Sequence, residues 1–69
     1  MKYRNRLRVL RAEKGLSQLD TAIKAQIKHY RYWRIENGYS VPSDLERARL
    51  AKALAVSVES LEPQQAVSA

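Results

Sequence analysis

One short stretch holds most of the side chains that could contact a ligand: residues 28–34 read Lys-His-Tyr-Arg-Tyr-Trp-Arg. It contains three of the chain's five aromatic residues and three of its thirteen basic residues, and it contains no acidic residue. Arginine can donate two hydrogen bonds to guanine, and histidine or tyrosine can donate to other base acceptors. The stretch is therefore suited to nucleic acid, although its aromatic rings could instead complete a small core.

The positive charge of the chain is concentrated in its first half. The chain carries 13 basic and 7 acidic residues, a net charge of +6. Residues 1–14 hold six basic residues against one acidic residue, residues 15–35 hold four against one, and residues 36–69 hold three against five. Such an asymmetry indicates a surface that faces a polyanion, either nucleic acid or an anionic membrane. A solvated basic face without a partner is the alternative.

The composition excludes or disfavours several chemistries. There is no cysteine, which excludes thiolate zinc sites, iron–sulfur clusters and cysteine catalysis. The single histidine, His29, has no second ligand three or four residues away, and Ser17, Ser43 and Ser57 stand where helix caps are expected. No apolar run approaches the roughly 18 residues that span a bilayer. We therefore expect no enzyme activity, no metal, no cofactor and no membrane contact, in a cytoplasmic protein.

The chain is expected to fold as one all-α domain. Strand-like alternation of apolar and polar residues never persists, and helix breakers divide the sequence at Gly15, Gly38, Pro42 and Pro63. The pattern predicts a compact bundle of about five short helices, over residues 3–14, 17–25, 28–36, 43–54 and 57–62. Residues 1–63 form the domain, and residues 64–69 are expected to be a disordered tail. Very few residues join the second and third helices, as a helix-turn-helix requires.

Two stretches resemble a known family. The first, residues 10–18, reads LRAEKGLSQ, and the second, residues 34–38, reads RIENG and is followed by Pro42 and by LAKALAVS at residues 50–57. At this spacing they resemble the lambda-repressor-like (Cro/xenobiotic-response-element) helix-turn-helix family, over about residues 5–62. The resemblance implies that the second helix lies across the DNA backbone and that the third helix enters the major groove.

The family register turns Tyr32 and Ile35 inward and leaves the other side of the third helix exposed. The resemblance therefore implies base contacts from His29, Tyr30, Trp33 and Arg34. It implies phosphate contacts from Gln18, Lys28, Arg31, Asn37, Tyr39 and Ser40. It also implies a partly buried ion pair between Arg11 and Glu36, which would orient the third helix.

Three residues depart from the family pattern: Thr21 replaces a leucine, Gln26 a glycine and Tyr32 an aliphatic residue. A non-glycine residue in a left-handed turn costs on the order of 1 kcal/mol, so a turn at Gln26 is tolerable. Either the second helix is rotated, or its apolar residues Leu19 and Ile23 face a partner. A third alternative is that the large Tyr32 fills the space left by the small Thr21. These alternatives concern the orientation of the reading helix and not the fold.

We expect a sequence-specific regulator of transcription that binds double-stranded DNA, most simply a repressor of the phage-repressor or Cro-like kind. The alternatives are an antitoxin that also binds a toxin and represses its own operon, or a helix-turn-helix domain that serves only protein interaction. RNA is a poorer ligand, because A-form helices have a narrow major groove. One reading helix covers few base pairs, so we expect a weak homodimer on a palindromic operator, with Val58 as the exposed contact residue.

Overall fold

The computed structural model describes residues 2–63, whose regular structure is entirely helical. The elements are α1 (Leu7–Glu13), α2 (Gln18–Ala25), α3 (His29–Glu36), α4 (Asp44–Leu54) and a 3₁₀ turn, Val58–Leu61. The predicted all-α class is confirmed, with four α-helices rather than five, because the last predicted helix is a single 3₁₀ turn. The tail predicted for residues 64–69 lies outside the described residues.

Helices α2 and α4 begin where the sequence predicts, each with a capping box. The hydroxyl of Ser17 accepts a hydrogen bond from the backbone N–H of Asp20 at 3.0 Å, and the Asp20 carboxylate accepts from the N–H of Ser17 at 3.2 Å. Ser43 and Glu46 repeat this arrangement at 3.1 and 2.8 Å. These reciprocal bonds satisfy donors that the first helical turn leaves free, and so they fix both helix starts.

The turn between α2 and α3 passes through a left-handed residue. Gln26 ends α2 with a φ of 58°, as its place in the turn predicts, and Ala55 ends α4 with a φ of 56°. Glycine adopts this region freely, whereas other residues lose about 1–2 kcal/mol there. The left-handed turn leaves only Ile27 and Lys28 before α3, so α2 and α3 pack as a compact pair.

Helix α1 begins at Leu7 and not at Tyr3, so its predicted start is wrong. Residues 3–6 are non-helical, and polar groups of Tyr3 and Asn5 bond instead to the end of α3 and to Gly38 just after it. The N–H of Tyr3 donates to the Gly38 carbonyl at 2.9 Å. The side-chain amide of Asn5 donates to the carbonyl oxygens of the last two residues of α3 at 3.1 and 3.2 Å, and its oxygen accepts from the N–H of Leu7 at 3.0 Å. Asn5 thus caps the end of α3 and the start of α1 together.

The same N-terminal segment also contacts the end of the described chain. The N–H of Arg6 donates to the Leu61 carbonyl at 2.7 Å, and the Tyr3 hydroxyl donates to the Glu62 carboxylate. Glu62 also forms an ion pair with Arg47 of α4 at 2.6 Å. Partial burial alone would raise the pKa of Glu62, but the donors from Arg47 and Tyr3 lower it. We call these contacts the terminal clasp.

An apolar core lies between the helices and holds α3 from within. It contains Leu7, Leu10, Ala22, Ala25, Ile27, Tyr32, Ile35, Leu50, Ala51, Leu54 and Leu61. Thr21 and Tyr32 are both wholly buried, which supports the alternative in which the large ring fills space left by the small side chain. Leu19 and Ile23 remain 48% and 65% exposed, so the core does not cover them. Tyr32 anchors one side of α3 in the core, so the opposite side of the helix faces outward.

Replacing Asn5 by alanine should destabilise the fold, because an N–H of α1 and two carbonyl groups of α3 lose their partner. Loss of a capping side chain typically lowers the free energy of unfolding by about 1 kcal/mol, or roughly 4–8 °C in melting temperature for a domain of this size. Thermal melts of Asn5→Ala beside Arg4→Ala, its exposed neighbour, measure this difference. Equal melting temperatures for the two variants would contradict the capping role.

Candidate nucleic-acid interface

Helix α3 presents a polar and aromatic side to solvent. His29 is exposed, and the exposed fractions of Tyr30 and Trp33 are 69% and 38%. Tyr32 and Ile35, on the inner side, are wholly buried. This is the register that the family resemblance implies. It places three of the four predicted base-contacting residues on the outer side of α3.

The carboxylate of Glu36, at the end of α3, is buried and hydrogen-bonded on both oxygens. Arg11 of α1 donates from Nε to Oε1 at 2.7 Å and from Nη2 to Oε2 at 3.1 Å. The Tyr32 hydroxyl donates to Oε1 at 2.6 Å, and Nε2 of Gln18 donates to Oε2 at 2.9 Å. Burial alone would raise the pKa of Glu36, but these donors lower it to about 2. The carboxylate therefore stays ionised and ties α1, α2 and α3 together.

This arrangement changes what Gln18 can offer to DNA. A carboxylate only accepts hydrogen bonds, so the amide nitrogen of Gln18 must face Glu36 and its oxygen must face away. One amide hydrogen and the oxygen are left for an external partner. The phosphate contact predicted for Gln18 therefore depends on that one hydrogen and on the backbone N–H groups at the start of α2.

The guanidinium of Arg34 is held within the chain by the turn that follows α3. Its Nε donates to the Ser40 hydroxyl at 2.9 Å, and its Nη2 lies 3.5 Å from the Tyr39 carbonyl oxygen. It also lies 6.0 and 5.9 Å from the ring centres of Tyr30 and Tyr39. A bidentate contact to guanine needs two free N–H groups on one edge. These bonds engage the edge formed by Nε and Nη2, so the base contact predicted for Arg34 would have to use the other edge, formed by Nη1 and the second N–H of Nη2.

Two of the predicted phosphate contacts are likewise engaged within the chain. Arg31 forms an ion pair with Glu46 through bonds of 3.0 and 2.8 Å, and it also donates to the Val41 carbonyl at 3.1 Å. The bonds from Arg31 lower the pKa of Glu46 to about 2. The side-chain amide of Asn37 donates to the Trp33 carbonyl at 3.0 Å. In the free protein, Arg31 joins α3 to α4, whereas Asn37 bonds to the last turn of α3 itself.

Three other cations lie around the ends of α3. Lys28 is exposed immediately before its first residue. At the other end, Nζ of Lys2 lies 5.3 Å from the ring centre of Tyr39, and the exposed Arg8 approaches the Glu36 carboxylate at 3.6 Å. Sequence reasoning singled out Lys28 but missed Lys2 and Arg8, because only the fold brings the N-terminal segment beside α3. The basic bias of the first part of the chain is the sequence signal that points to them.

Three exposed aromatic rings stack on one another, and one of them, that of Tyr39, lies beside Lys2. The rings of Tyr30 and Trp33 have centres 6.1 Å apart and planes inclined by 13°, and those of Trp33 and Tyr39 are 5.5 Å apart and inclined by 26°. We call these three residues the aromatic stack. The core formed by the described residues contains none of them, so the alternative in which Tyr30 and Trp33 complete the core is wrong. A shallow depression beside the rings is lined by Gln18, His29, Tyr30 and Trp33.

The exposed apolar side chains differ from those that the sequence indicates. Val58 is only partly exposed, because one side of it packs against the core. The expectation that it is a freely exposed contact residue is therefore corrected. Val41, Leu45 and Ile23 are more exposed, and they lie in the turn after α3, on α4 and on α2 respectively. Any contact between two copies at Val58 involves a small apolar area.

Nowhere in residues 2–63 do three potential metal ligands gather. None of the helices in this part of the chain has the length and apolarity needed to cross a bilayer. A second depression, between the ends of α2 and α4, is lined by Lys24, Gln26, Arg49 and Lys52 among others. Its two lysines lie in the last turns of these helices, where they offset the negative end of the helix dipole.

A pair of helices joined by a tight turn, with the second helix anchored inward and basic at both ends, is the arrangement that helix-turn-helix proteins use on DNA. Residues 3–64 match the family model of the helix-turn-helix domain, and the chain belongs to that family, in its lambda-repressor-like branch. The resemblance inferred from the sequence is confirmed.

Among solved structures, the chain is similar to the restriction-modification controller protein C.AhdI from Aeromonas hydrophila. The two are 33% identical over 80% of this chain and 83% of that chain, with a TM-score of 0.77. A comparison with curated proteins gave no match. The solved structure thus supports the same fold over most of both chains.

Removing the Glu36 carboxylate should destabilise the fold strongly, since Arg11 would be left partly buried without its partner. Loss of one member of a buried pair costs about 3–5 kcal/mol, and the 19% exposure of the Arg11 side chain puts this pair toward the lower value. The double variant Glu36→Ala/Arg11→Ala should lose less stability than the sum of the two single variants. Urea denaturation of all three measures the coupling, and additive losses would mean that the pair contributes nothing.

Proposed function

We propose that this protein is a sequence-specific regulator of transcription that binds double-stranded DNA and reads its major groove with α3. The observation that carries the proposal is the outer side of α3, where His29, Tyr30 and Trp33 are exposed while the inner side is anchored at Glu36. Contacts to base edges require such side chains on a rigidly held helix. Membership of the helix-turn-helix family supports the same function.

The dimensions and charge of α3 suit the groove. Eight residues give a helix about 12 Å long, and an α-helix with its side chains is about 10–12 Å wide, close to the width of about 12 Å of the major groove. Lys28 lies at one end of the helix, and Lys2 and Arg8 lie near the other. Cations at both ends can neutralise the phosphates that line the groove.

Repression is the mode of regulation that we propose. A protein that occupies an operator can block transcription by occupancy alone, so repression needs no surface beyond the one that binds DNA. The similar protein C.AhdI is a restriction-modification controller protein, which supports a regulatory role for a domain of this fold.

A second function is favoured by one observation, the exposure of Leu19 and Ile23 on α2. Large apolar side chains left in water often mark a surface that binds another protein. The second candidate is therefore an antitoxin, which would bind a toxin through α2 and repress its own operon through α3. A toxin that copurifies with the wild-type protein, and that Ile23→Asp releases, would favour this function.

The proposal includes two copies on one palindromic operator. A single helix reads only a few base pairs, and half-sites about one helical turn apart supply the missing selectivity. The exposed part of Val58 offers only a small apolar area for contact between two copies. Residues 36–69 carry three basic and five acidic groups, a small net charge, so two copies can approach there without strong repulsion. We therefore expect weak pairing, with monomers at micromolar concentration and dimers on DNA.

Binding to genomic fragments should weaken steeply with salt, because basic side chains displace counterions from phosphates. Lys28→Ala should reduce the salt slope by about one and weaken cognate and random duplexes equally. His29→Ala should instead reduce the ratio of cognate to random affinity, since it removes a base contact. Lys52→Ala removes the same charge from α4 and should change neither quantity.

Fluorescence titrations of labelled fragments across a range of salt concentrations measure both quantities for all four proteins. Equal effects of Lys28→Ala and Lys52→Ala on DNA binding would mean that α3 does not lie in the DNA interface. Absence of binding to every fragment, even at low salt, would contradict the proposed function and favour a domain that serves only protein interaction.

Sedimentation with and without a palindromic operator tests the dimer. Val58→Asp should reduce the operator complex from two copies to one, because two carboxylates would face each other across the two-fold axis. The control variant Val9→Asp carries the same change on the exposed surface of α1, and it should still bind the operator as two copies. Because Val58 also packs on the core, Val58→Ser and a thermal melt separate loss of pairing from loss of folding. A strictly one-to-one complex of the wild type on a full palindrome would overturn the dimer.

A further inference from the structure

Two exposed aromatic rings on α3 lie outside the core that the described residues form. We propose that Tyr30 and Trp33 bind the 5-methyl group of thymine in the major groove, and so select a T·A base pair within each half-site. The inference rests on the proposed function, because it requires α3 to lie in the groove of duplex DNA. It adds to that function a preference for one chemical group.

The two rings are apolar surface that the fold leaves in water. Tyr30 and Trp33 are exposed, whereas Tyr32, on the opposite side of the same helix, is wholly buried. Apolar groups gain free energy when they leave water for another apolar surface. The 5-methyl group of thymine is the apolar group that an unmodified base pair presents in the major groove. The chemistry of the rings therefore matches thymine.

Neighbouring side chains hold the rings in place before DNA is bound. The planes of Tyr30 and Trp33 are nearly parallel, with ring centres 6.1 Å apart, and Tyr39 stacks on Trp33 at 5.5 Å. The guanidinium of Arg34 contacts both tyrosine rings and is itself bonded to Ser40. Side chains that are already ordered lose little rotamer entropy on binding, so a contact as small as one methyl group can change the affinity.

Polar groups at the rim of the depression suit the rest of a T·A pair. Gln18 and His29 line the depression together with the two rings. Because Glu36 accepts a hydrogen bond from the Gln18 amide, the Gln18 oxygen faces away as an acceptor. Adenine presents an amino donor in the major groove, beside the methyl group and O4 of thymine. A C·G pair also presents an amino donor but no methyl group, so the rings supply the discrimination.

The charge around the rings favours DNA over an apolar protein as the occupant. Lys2 and Arg34 contact the aromatic stack directly, and Lys28 precedes α3. The two carboxylates bonded to α3, those of Glu36 and Glu46, are each paired with an arginine. An apolar contact within a basic surface is complementary to a groove whose floor carries methyl groups and whose walls carry phosphates.

Deoxyuridine in place of thymidine tests the inference, since it removes the methyl group and keeps O4 and the base pairing. The duplex is the one bound most tightly in a selection from random DNA, and each of its thymines is replaced singly. One replacement per half-site should weaken wild-type binding on the order of fourfold, the effect expected from one buried methyl-sized group. The other thymines should tolerate the change.

Protein variants assign that effect to the rings. Trp33→Ala and Tyr30→Ala should bind the thymine and deoxyuridine duplexes equally at the sensitive position. Tyr30→Phe should keep the ratio, because it loses only a hydroxyl, and His29→Ala should weaken both duplexes without changing the ratio. If a ring had only a structural role, its alanine variant would bind both duplexes more weakly by the same factor, and the ratio would be preserved. Thermal melts verify that these exposed substitutions leave the protein folded.

Two kinds of failure are distinguishable. Equal wild-type affinity for every deoxyuridine duplex, or a ratio preserved in both alanine variants, would overturn the inference and leave the proposed function intact. A selection that yields no bound duplex would overturn the proposed function and the inference with it.

Discussion

The buried carboxylate of Glu36 is the contact on which the placement of α3 depends. It accepts hydrogen bonds from Arg11 of α1, Gln18 of α2 and Tyr32 of α3 itself. An ionised group in a buried site is tolerated only while its donors remain, and a rotation of α3 would separate the charge from Arg11 and Gln18 on the other helices. A helix of eight residues is too short to persist alone in water. The core buries one side of α3, and the Glu36 carboxylate fixes the orientation of the helix.

The features of the fold that could be predicted from the sequence have local causes. A capping box is complete within four residues, so Ser17 and Ser43 are enough to predict the starts of α2 and α4. The helical period places Tyr32 and Tyr30 on different faces of α3, and the family resemblance implies that the face of Tyr32 lies inward, as it does. The pair of Arg11 with a carboxylate at the end of α3 has no local signal, and the family resemblance alone points to it.

Contacts between distant parts of the chain could not be predicted in this way. Helix α1 begins later than its local pattern indicates, because Asn5 bonds to carbonyl groups 30 and 31 positions away. Arg31 is matched by Glu46, fifteen positions on, and Arg34 is bonded to Ser40 in the next turn. In sequence, each arginine is equally suited to DNA. Only the fold distinguishes the cations that hold α3 from those that remain available to a phosphate.

The terminal clasp joins the ends of the described chain, with Tyr3 and Glu62 separated by 59 positions. Contacts of such high sequence separation close a long loop, and we expect them to form late in folding because the entropy of that loop must be lost first. Interactions absent from the folding transition state act mainly on the unfolding rate, so we expect the clasp to slow unfolding. Asn5 lies between its residues Tyr3 and Arg6 and bonds to the carbonyl groups of α3. We therefore expect opening of the clasp to be accompanied by amide hydrogen exchange at the end of α3.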